Sequence, residues 1–155
     1  MTRPRGPIGV AIAMATLSSL AGSQAAQAQA CAATALTQAA RLVEFETLMM
    51  TVSLRCARAG VDLRAAYDGM VAANAPHFAQ AQATIEAVLG GDHGAGYDRY
   101  VTQVANRYGG GATNPAHCTM FRTVAVALGN PGDGRELEIV AEAMIAAPQL
   151  REAGC

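Results

Sequence analysis

The side chains best suited to acid–base chemistry lie close together in the second half of the sequence. Asp92 and His93 sit in a glycine-rich loop, and Asp98 and Arg99 follow at the start of the next predicted helix. A carboxylate and an imidazole can act as a general acid–base pair, and an arginine can hold an anionic group. One hypothesis is therefore a small periplasmic hydrolase-like enzyme that uses these four residues.

The surrounding sequence favours the simpler interpretation, which is a solvated loop without catalytic residues. A metal site needs three or four ligands at workable spacing, and no third ligand lies close to Asp92 and His93 in the sequence. There is no Gly-x-Ser-x-Gly nucleophile motif. Gly109–Gly111 precedes a helix start and could cradle an anion, but it lacks the Lys-Ser/Thr ending of a phosphate loop. We predict neither catalytic residues nor a metal site.

The helix after the glycine-rich loop offers the most polar and aromatic surface of the chain. Tyr97 and Tyr100 share its apolar face, whereas Arg99, Thr102 and Asn106 point the opposite way. Tyrosines of this kind are usually core residues, and the polar face is then solvated. This face, together with the preceding loop, is our first choice for a ligand or partner surface. The predicted surface comprises Asp92, His93, Arg99, Thr102 and Asn106.

A non-covalent haem is a further alternative for a helical bundle. Met49 or Met50 could supply one axial ligand, and His77 or His117 could supply the other. Methionines at helical spacing are more often core residues, and a histidine after a proline-marked helix start is more often exposed. We therefore predict no cofactor.

The four cysteines, Cys31, Cys56, Cys118 and Cys155, suggest two disulfides. Their spacing contains no Cys-x-x-Cys pair, which argues against a thioredoxin-like or zinc-ribbon site. Cys56 and Cys118 each lie on the apolar face of a predicted helix, and the other two lie near the ends of the mature chain. Of the three possible pairings we predict Cys56–Cys118 with Cys31–Cys155.

The first 30 residues resemble a secretory signal peptide. Arg3 and Arg5 form a basic start, and an apolar run follows over residues 8–20. In Ala26–Ala30, alanine alternates with glutamine, which puts small residues at the positions that a signal peptidase recognises. The apolar run is too short for a membrane span. We predict cleavage before Cys31 or Gln29, a periplasmic or secreted protein, and a single domain over residues 31–155. Lipidation of Cys31 is less favoured, because the preceding residues fit a lipobox poorly.

The charge of the mature chain argues against several partner classes. Its 9 arginines oppose 12 acidic residues, which gives a net charge of about −3, and lysine is absent. There is no basic run or basic amphipathic helix, so we predict neither nucleic-acid nor membrane-surface binding, and no transmembrane segment in the mature chain.

The elements that would position these side chains are all helices. Residues 36–58 carry two apolar stripes, which predicts a central helix packed on two sides, with Glu44, Thr51, Arg55 and Arg58 on the remaining polar arc. No segment alternates with period two, so we predict no strand. The sequence thus predicts an all-α, compact bundle of five to six helices around a central helix. The remaining helices are expected after Asp62 as far as Pro76, then over residues 77–89, 97–108, 115–128 and 135–146.

Several segments resemble a small alphaproteobacterial family of exported four-cysteine helical proteins. They are Leu48–Cys56, Ala66–Asp68, Tyr97–Gly109, Cys118 and the terminal Cys155. Members are sometimes labelled S-adenosyl-L-homocysteine hydrolases, but this chain has no Gly-x-Gly-x-x-Gly motif after a strand and is too short for such an enzyme. The resemblance implies no activity. We therefore expect an exported, non-catalytic protein that binds an unidentified partner protein or small molecule.

Overall fold

The computed structural model describes the backbone of residues 20–90 and 94–150, and side chains from Thr34 onwards. Within these residues it contains six α-helices and no strand, so the all-α prediction is confirmed. None of the described helices is both long and apolar enough to cross a membrane. The helices are α1 (Leu20–Arg58), α2 (Arg64–Ala73), α3 (Ala75–Leu89), α4 (Ala95–Gly109), α5 (Pro115–Ala127) and α6 (Arg135–Met144).

The predicted central helix is α1, which packs against all five other helices and most extensively against α3 and α4. It ends at Arg58, as predicted, and Gly60 follows with a φ of 80°. One of the two predicted apolar stripes of α1 is buried along its whole length, at Leu42, Phe45, Met49, Val52 and Cys56. The other stripe is buried at Leu36 and Val43, but Leu54 near its end is 49% exposed.

The start of α1 differs from the prediction, because the helix begins at Leu20 rather than near Leu36. The predicted cleavage point before Cys31 therefore falls inside a continuous helix. The basic start and most of the apolar run, residues 1–19, lie outside the described part of the chain. Signal cleavage stays a prediction.

The polar arc of α1 is buried at two of its members. Glu44 is fully buried and Thr51 is 7% exposed. The Glu44 carboxylate accepts hydrogen bonds from the hydroxyls of Tyr100 (2.9 Å) and Tyr108 (3.3 Å), and from the backbone N–H of Gln149. These donors compensate for the lost hydration, so an acidic residue can face the centre of the bundle.

Pro76 does not separate α2 from α3 in the way the sequence suggests. It lies in the first turn of α3, which begins at Ala75, and the break falls at Asn74 instead. The Asn74 amide donates hydrogen bonds to the carbonyls of Met70 (2.9 Å) and Leu128 (2.8 Å). This buried side chain therefore joins the ends of α2 and α5. The expected capping residue Asp62 does accept a hydrogen bond, from the N–H of Arg64 at 2.8 Å.

The sequence predicts an apolar face on α3 with Phe78, Ala81, Ile85, Val88 and Leu89, which is confirmed except at Val88, since Leu89 is partly buried against the main core. Phe78, Ala81 and Ile85 are buried, but Val88 is 56% exposed. The following glycine-rich loop is shorter than predicted, because α4 already begins at Ala95.

The predicted bridge Cys56–Cys118 is present, with a Cα–Cα distance of 5.7 Å. It joins the last turns of α1 to the first turn of α5 and forms a small core with Val52 and Leu63, beside the main one. The other proposed bridge stays a prediction, since Cys155 and the side chain of Cys31 lie outside the described residues. Of the two disulfides predicted from the sequence, the described residues show Cys56–Cys118.

Candidate functional site

The structure leaves the predicted ligand surface only partly defined. Arg99, Thr102 and Asn106 are exposed on α4, whereas Asp92 and His93 belong to residues 91–93, which are outside the described chain. Arg99 lines a shallow cavity of about 280 Å³, and its neighbours there include Gln149 at the end of the described chain.

The residues of the two other hypotheses lie in several parts of the fold. Asp98 of the enzyme hypothesis is exposed beside Arg99 on α4. Of the proposed haem ligands, Met49 is buried in the main core and His117 is exposed on α5. The ring of His77 packs against Gly134, and a Cβ added to Gly134 would lie 2.4 Å from that ring. Among the described residues, no group of three or more His, Cys, Asp or Glu side chains is placed to hold a metal ion.

A better-formed site lies beside the disulfide, between α1, α5 and the loop that joins α4 to α5. We call this cavity of about 270 Å³ the disulfide cleft. Its floor is apolar and consists of Leu48, Val52, Cys56, Cys118 and Phe121. Its rim is polar and consists of Arg55, Arg107, Tyr108, Gly110, Ala112, Thr113, Asn114 and His117.

Helical spacing explains how the floor is built. Leu48, Val52 and Cys56 follow one another at intervals of four residues, so they lie on one face of α1. Across the cleft, Asn114 is the N-cap of α5, because its side chain accepts a hydrogen bond from the N–H of Ala116 at 2.9 Å. The disulfide then fixes the first turn of α5 against the last turns of α1.

Arg55 fixes the loop that forms the rim. Its guanidinium donates hydrogen bonds to the carbonyls of Tyr108 (2.9 Å), Ala112 (2.9 Å) and Gly111 (3.4 Å), and to the hydroxyl of Thr113 (3.3 Å). All four acceptors are neutral oxygens. The Gly109–Gly111 loop, which the sequence suggested as an anion cradle, therefore directs one carbonyl group towards an arginine, and the flanking residues Tyr108 and Ala112 direct two more.

The cleft is cationic. Arg55, Arg107 and His117 line it, and no acidic side chain is among its lining residues. The Arg107 guanidinium lies 5.8 Å from the centre of the Tyr108 ring, close enough for a cation–π contact at the rim. An anionic group entering the cleft would thus meet positive charge without a competing carboxylate.

Tyr108 is oriented towards the protein interior. Its hydroxyl bonds Glu44, and its pKa is raised mainly by burial and then by the charge of Glu44, although Arg107 opposes the shift. The two cysteines of the floor form a disulfide and so provide no thiol nucleophile. The cleft is therefore suited to binding rather than to nucleophilic catalysis.

Sequence reasoning missed this site, although two signals pointed to it. The first signal is Arg55, an arginine on the polar arc of the central helix. The second is Gly109–Gly111, which precedes the start of α5. Neither signal shows that α1 and this loop meet. That proximity comes from the Cys56–Cys118 bridge and from packing.

A second, more apolar groove of about 460 Å³ lies between α5 and α6. Ile139 lines it and is 59% exposed, and Val126 nearby on α5 is 61% exposed. The other lining residues are Thr123, Val124, Ala127, Leu128, Glu136 and Val140.

No family model, no curated protein and no solved structure matches this chain. The assignment of the site therefore rests on its geometry.

Proposed function

We propose that this protein is exported, is not a catalyst, and binds a small molecule in the disulfide cleft. The observation that supports this proposal is the combination of an apolar floor with two arginines at the rim, of which Arg55 is held by four hydrogen bonds. Small-molecule sites typically combine an apolar wall with a few convergent polar groups that set orientation. The cavity at the surface predicted from the sequence also has apolar lining, at Leu89 and Leu150, but Arg99 is its one arginine, whereas two arginines line the disulfide cleft.

Export is supported by the predicted signal peptide and by the disulfide, since such bonds persist mainly in oxidising compartments. The proposed membership of the exported four-cysteine family is consistent with the same bridge. Intact mass spectrometry of the exported form should give a chain that begins at Cys31 or Gln29. A mass that includes residues 1–28, or a lipid adduct on Cys31, would contradict this part of the proposal.

Binding can be tested by two-dimensional amide NMR of the exported protein against a library of small molecules. Ligands should shift the amides of Arg55, Cys56 and residues 112–118, which surround the cleft. Hits that instead cluster on Arg99, Thr102 and Asn106 would favour the surface predicted from the sequence. Hits at Val126 and Ile139 would place binding in the α5–α6 groove. Either pattern would contradict the assignment to the disulfide cleft.

A pair of variants separates binding in the cleft from binding elsewhere. Ala112→Trp introduces a large side chain at the rim and should weaken binding of any ligand found by NMR. Ala116→Trp makes the same change at an exposed position that is not among the lining residues, and should leave binding intact. Equal effects of the two variants would show that the ligand does not occupy the cleft.

A further inference from the structure

The disulfide cleft holds a positive charge that no acidic partner neutralises within the described chain. Arg55 is half-buried, and its hydrogen bonds all go to carbonyl or hydroxyl oxygens. An ion pair does occur elsewhere, where Arg41 lies 3.1 Å from Glu142. A guanidinium is always charged in proteins, and one held among neutral acceptors attracts an anion.

Two exposed side chains lie at the mouth of the cleft, where Arg107 adds positive charge and His117 adds a ring that can donate a hydrogen bond. Arg107 lies against the Tyr108 ring, and none of the described hydrogen bonds uses its guanidinium, so its donors are available to a ligand. His117 lies in the first turn of α5, on the opposite wall. These two residues are thus the rim groups free to bind an incoming anion.

The floor sets a second requirement. Leu48, Val52 and Phe121 form an apolar surface that a bare inorganic anion would leave uncovered. A cavity of about 270 Å³ is slightly smaller than the usual range for small-molecule sites, about 300–1,000 Å³. It therefore suits one ring, or a branched chain of similar size, with the charged group at the rim.

We infer that the ligand of the disulfide cleft is a small organic carboxylate, with an apolar body on the floor and its carboxylate at Arg107. This inference rests on the proposed binding function and specifies its ligand class. A carboxylate matches the planar arrangement of guanidinium donors, and a single negative charge is easier to remove from water than the double charge of a phosphate.

Isothermal titration calorimetry of the full exported protein can test this inference with four probes. They are 3-phenylpropionate, its neutral amide 3-phenylpropanamide, acetate and inorganic phosphate. The acid should bind at least about tenfold more tightly than the amide, because only the acid pairs a negative charge with the guanidinium and can accept two parallel hydrogen bonds from it. Acetate and phosphate should bind more weakly than 3-phenylpropionate, since neither covers the floor.

Matched variants then locate the charge responsible. Arg107→Gln should remove most of the preference for the acid over the amide, because it should weaken binding of the acid much more than binding of the amide. Arg99→Gln removes the same charge from the same helix but outside the cleft, and should preserve the preference. Both positions are exposed, so both variants are expected to fold.

Each remaining outcome contradicts a defined part of the proposal. Equal affinity for the acid and the amide would overturn the carboxylate inference while leaving small-molecule binding in place. Phosphate binding as tight as that of 3-phenylpropionate would show that the floor does not contribute. Equal effects of the two arginine variants would attribute the preference to net charge rather than to Arg107. If the NMR library also yields no ligand at the cleft, the proposed function itself fails.

Discussion

Glu44 is the residue on which the polar part of the core depends. Its fully buried carboxylate accepts hydrogen bonds from two tyrosine hydroxyls of α4 and from the backbone N–H of Gln149, which follows α6. One side chain of the central helix thus connects to two distant parts of the chain. The pKa of Tyr100 is raised well above its ordinary value, first by burial and then by the charge and hydrogen bond of Glu44.

Replacement of Glu44 should separate the role of its shape from that of its charge. Glu44→Leu leaves the three donors without an acceptor and should lower the free energy of unfolding by about 3 kcal/mol. Glu44→Gln preserves one acceptor oxygen, and its amide can donate to Tyr108, so the loss should be within about 1 kcal/mol. Urea denaturation measures both effects.

A spectroscopic titration provides the control for this pair. With Gln at position 44, tyrosine ionisation in the folded protein should begin at lower pH than in the wild type, because the negative charge beside Tyr100 is gone. An unchanged tyrosine titration would show that burial alone sets the pKa.

Glu46 is partly buried, and this burial disfavours the charged form of its carboxyl group. Burial raises its pKa above the ordinary value of 4.5. Burial first, and then the negative charge of Glu46, raises the pKa of Tyr67 and of Tyr97 to about 12, so Glu46 lies near both tyrosines. An acid with a raised pKa in the folded state stabilises the fold below its unfolded pKa, and this contribution is lost as the pH rises through the folded value.

Glu46→Gln should therefore raise the melting temperature at pH 7, where the wild-type carboxylate is charged in its partly buried position. The advantage should shrink towards pH 4, where the wild-type group is protonated and resembles the amide. Thermal unfolding of both proteins across this pH range measures the difference. An advantage that does not vary with pH would show that ionisation of Glu46 is not its cause.

At the scale of the elements, the approach of α4 to the end of α3 depends on Gly96. A Cβ at this position would lie 2.5 Å from the carbonyl oxygen of Gly90 and 3.0 Å from the Leu89 side chain. The nearest obstacle is backbone, so it cannot move aside as a flexible side chain could. Two helix ends can thus meet closely only because the first turn of α4 lacks a side chain here.

Gly96→Ala should accordingly be destabilising, although alanine favours a helix over glycine by about 1 kcal/mol. Gly69→Ala is the matched control, since Gly69 lies in the interior of α2 and an added Cβ there meets nothing within 4 Å. Denaturant unfolding should show opposite signs for the two variants. A stabilising Gly96→Ala would mean that α4 can shift away from α3 at little cost.

At the scale of the whole molecule, the Cys56–Cys118 bridge joins segments that are 62 residues apart. Removal of a disulfide that closes a loop of this length should lower the free energy of unfolding by about 4 kcal/mol. A domain of this size has a total stability of only about 5–15 kcal/mol. Replacement of both cysteines by Ala should therefore lower the melting temperature by roughly 10–20 °C.

The predicted Cys31–Cys155 bridge provides the comparison. It would close a longer loop, but it would join segments near the ends of the mature chain, where little packing depends on it. We expect its removal to cost less than removal of Cys56–Cys118. A larger loss from the terminal pair would show that the ends are an integral part of the fold.

The sequence by itself determined the helical class, the central helix and the internal disulfide. Each of these follows from local periodicity or from residue type. The apolar repeat from Leu42 to Cys56 marks a buried face, Asn114-Pro115 marks a helix start, and Gly60 marks a helix end. Because such signals depend on neighbours within a few residues, they can be read without knowing the fold.

Only the tertiary structure decided which polar residues are buried and where the cleft lies. Glu44 and Arg55 both belong to the polar arc of α1, yet the first is enclosed by tyrosines and the second holds a loop. Their partners lie more than 50 residues away in the chain. Periodicity describes one helix at a time, whereas the surroundings of a side chain depend on which helices pack against it.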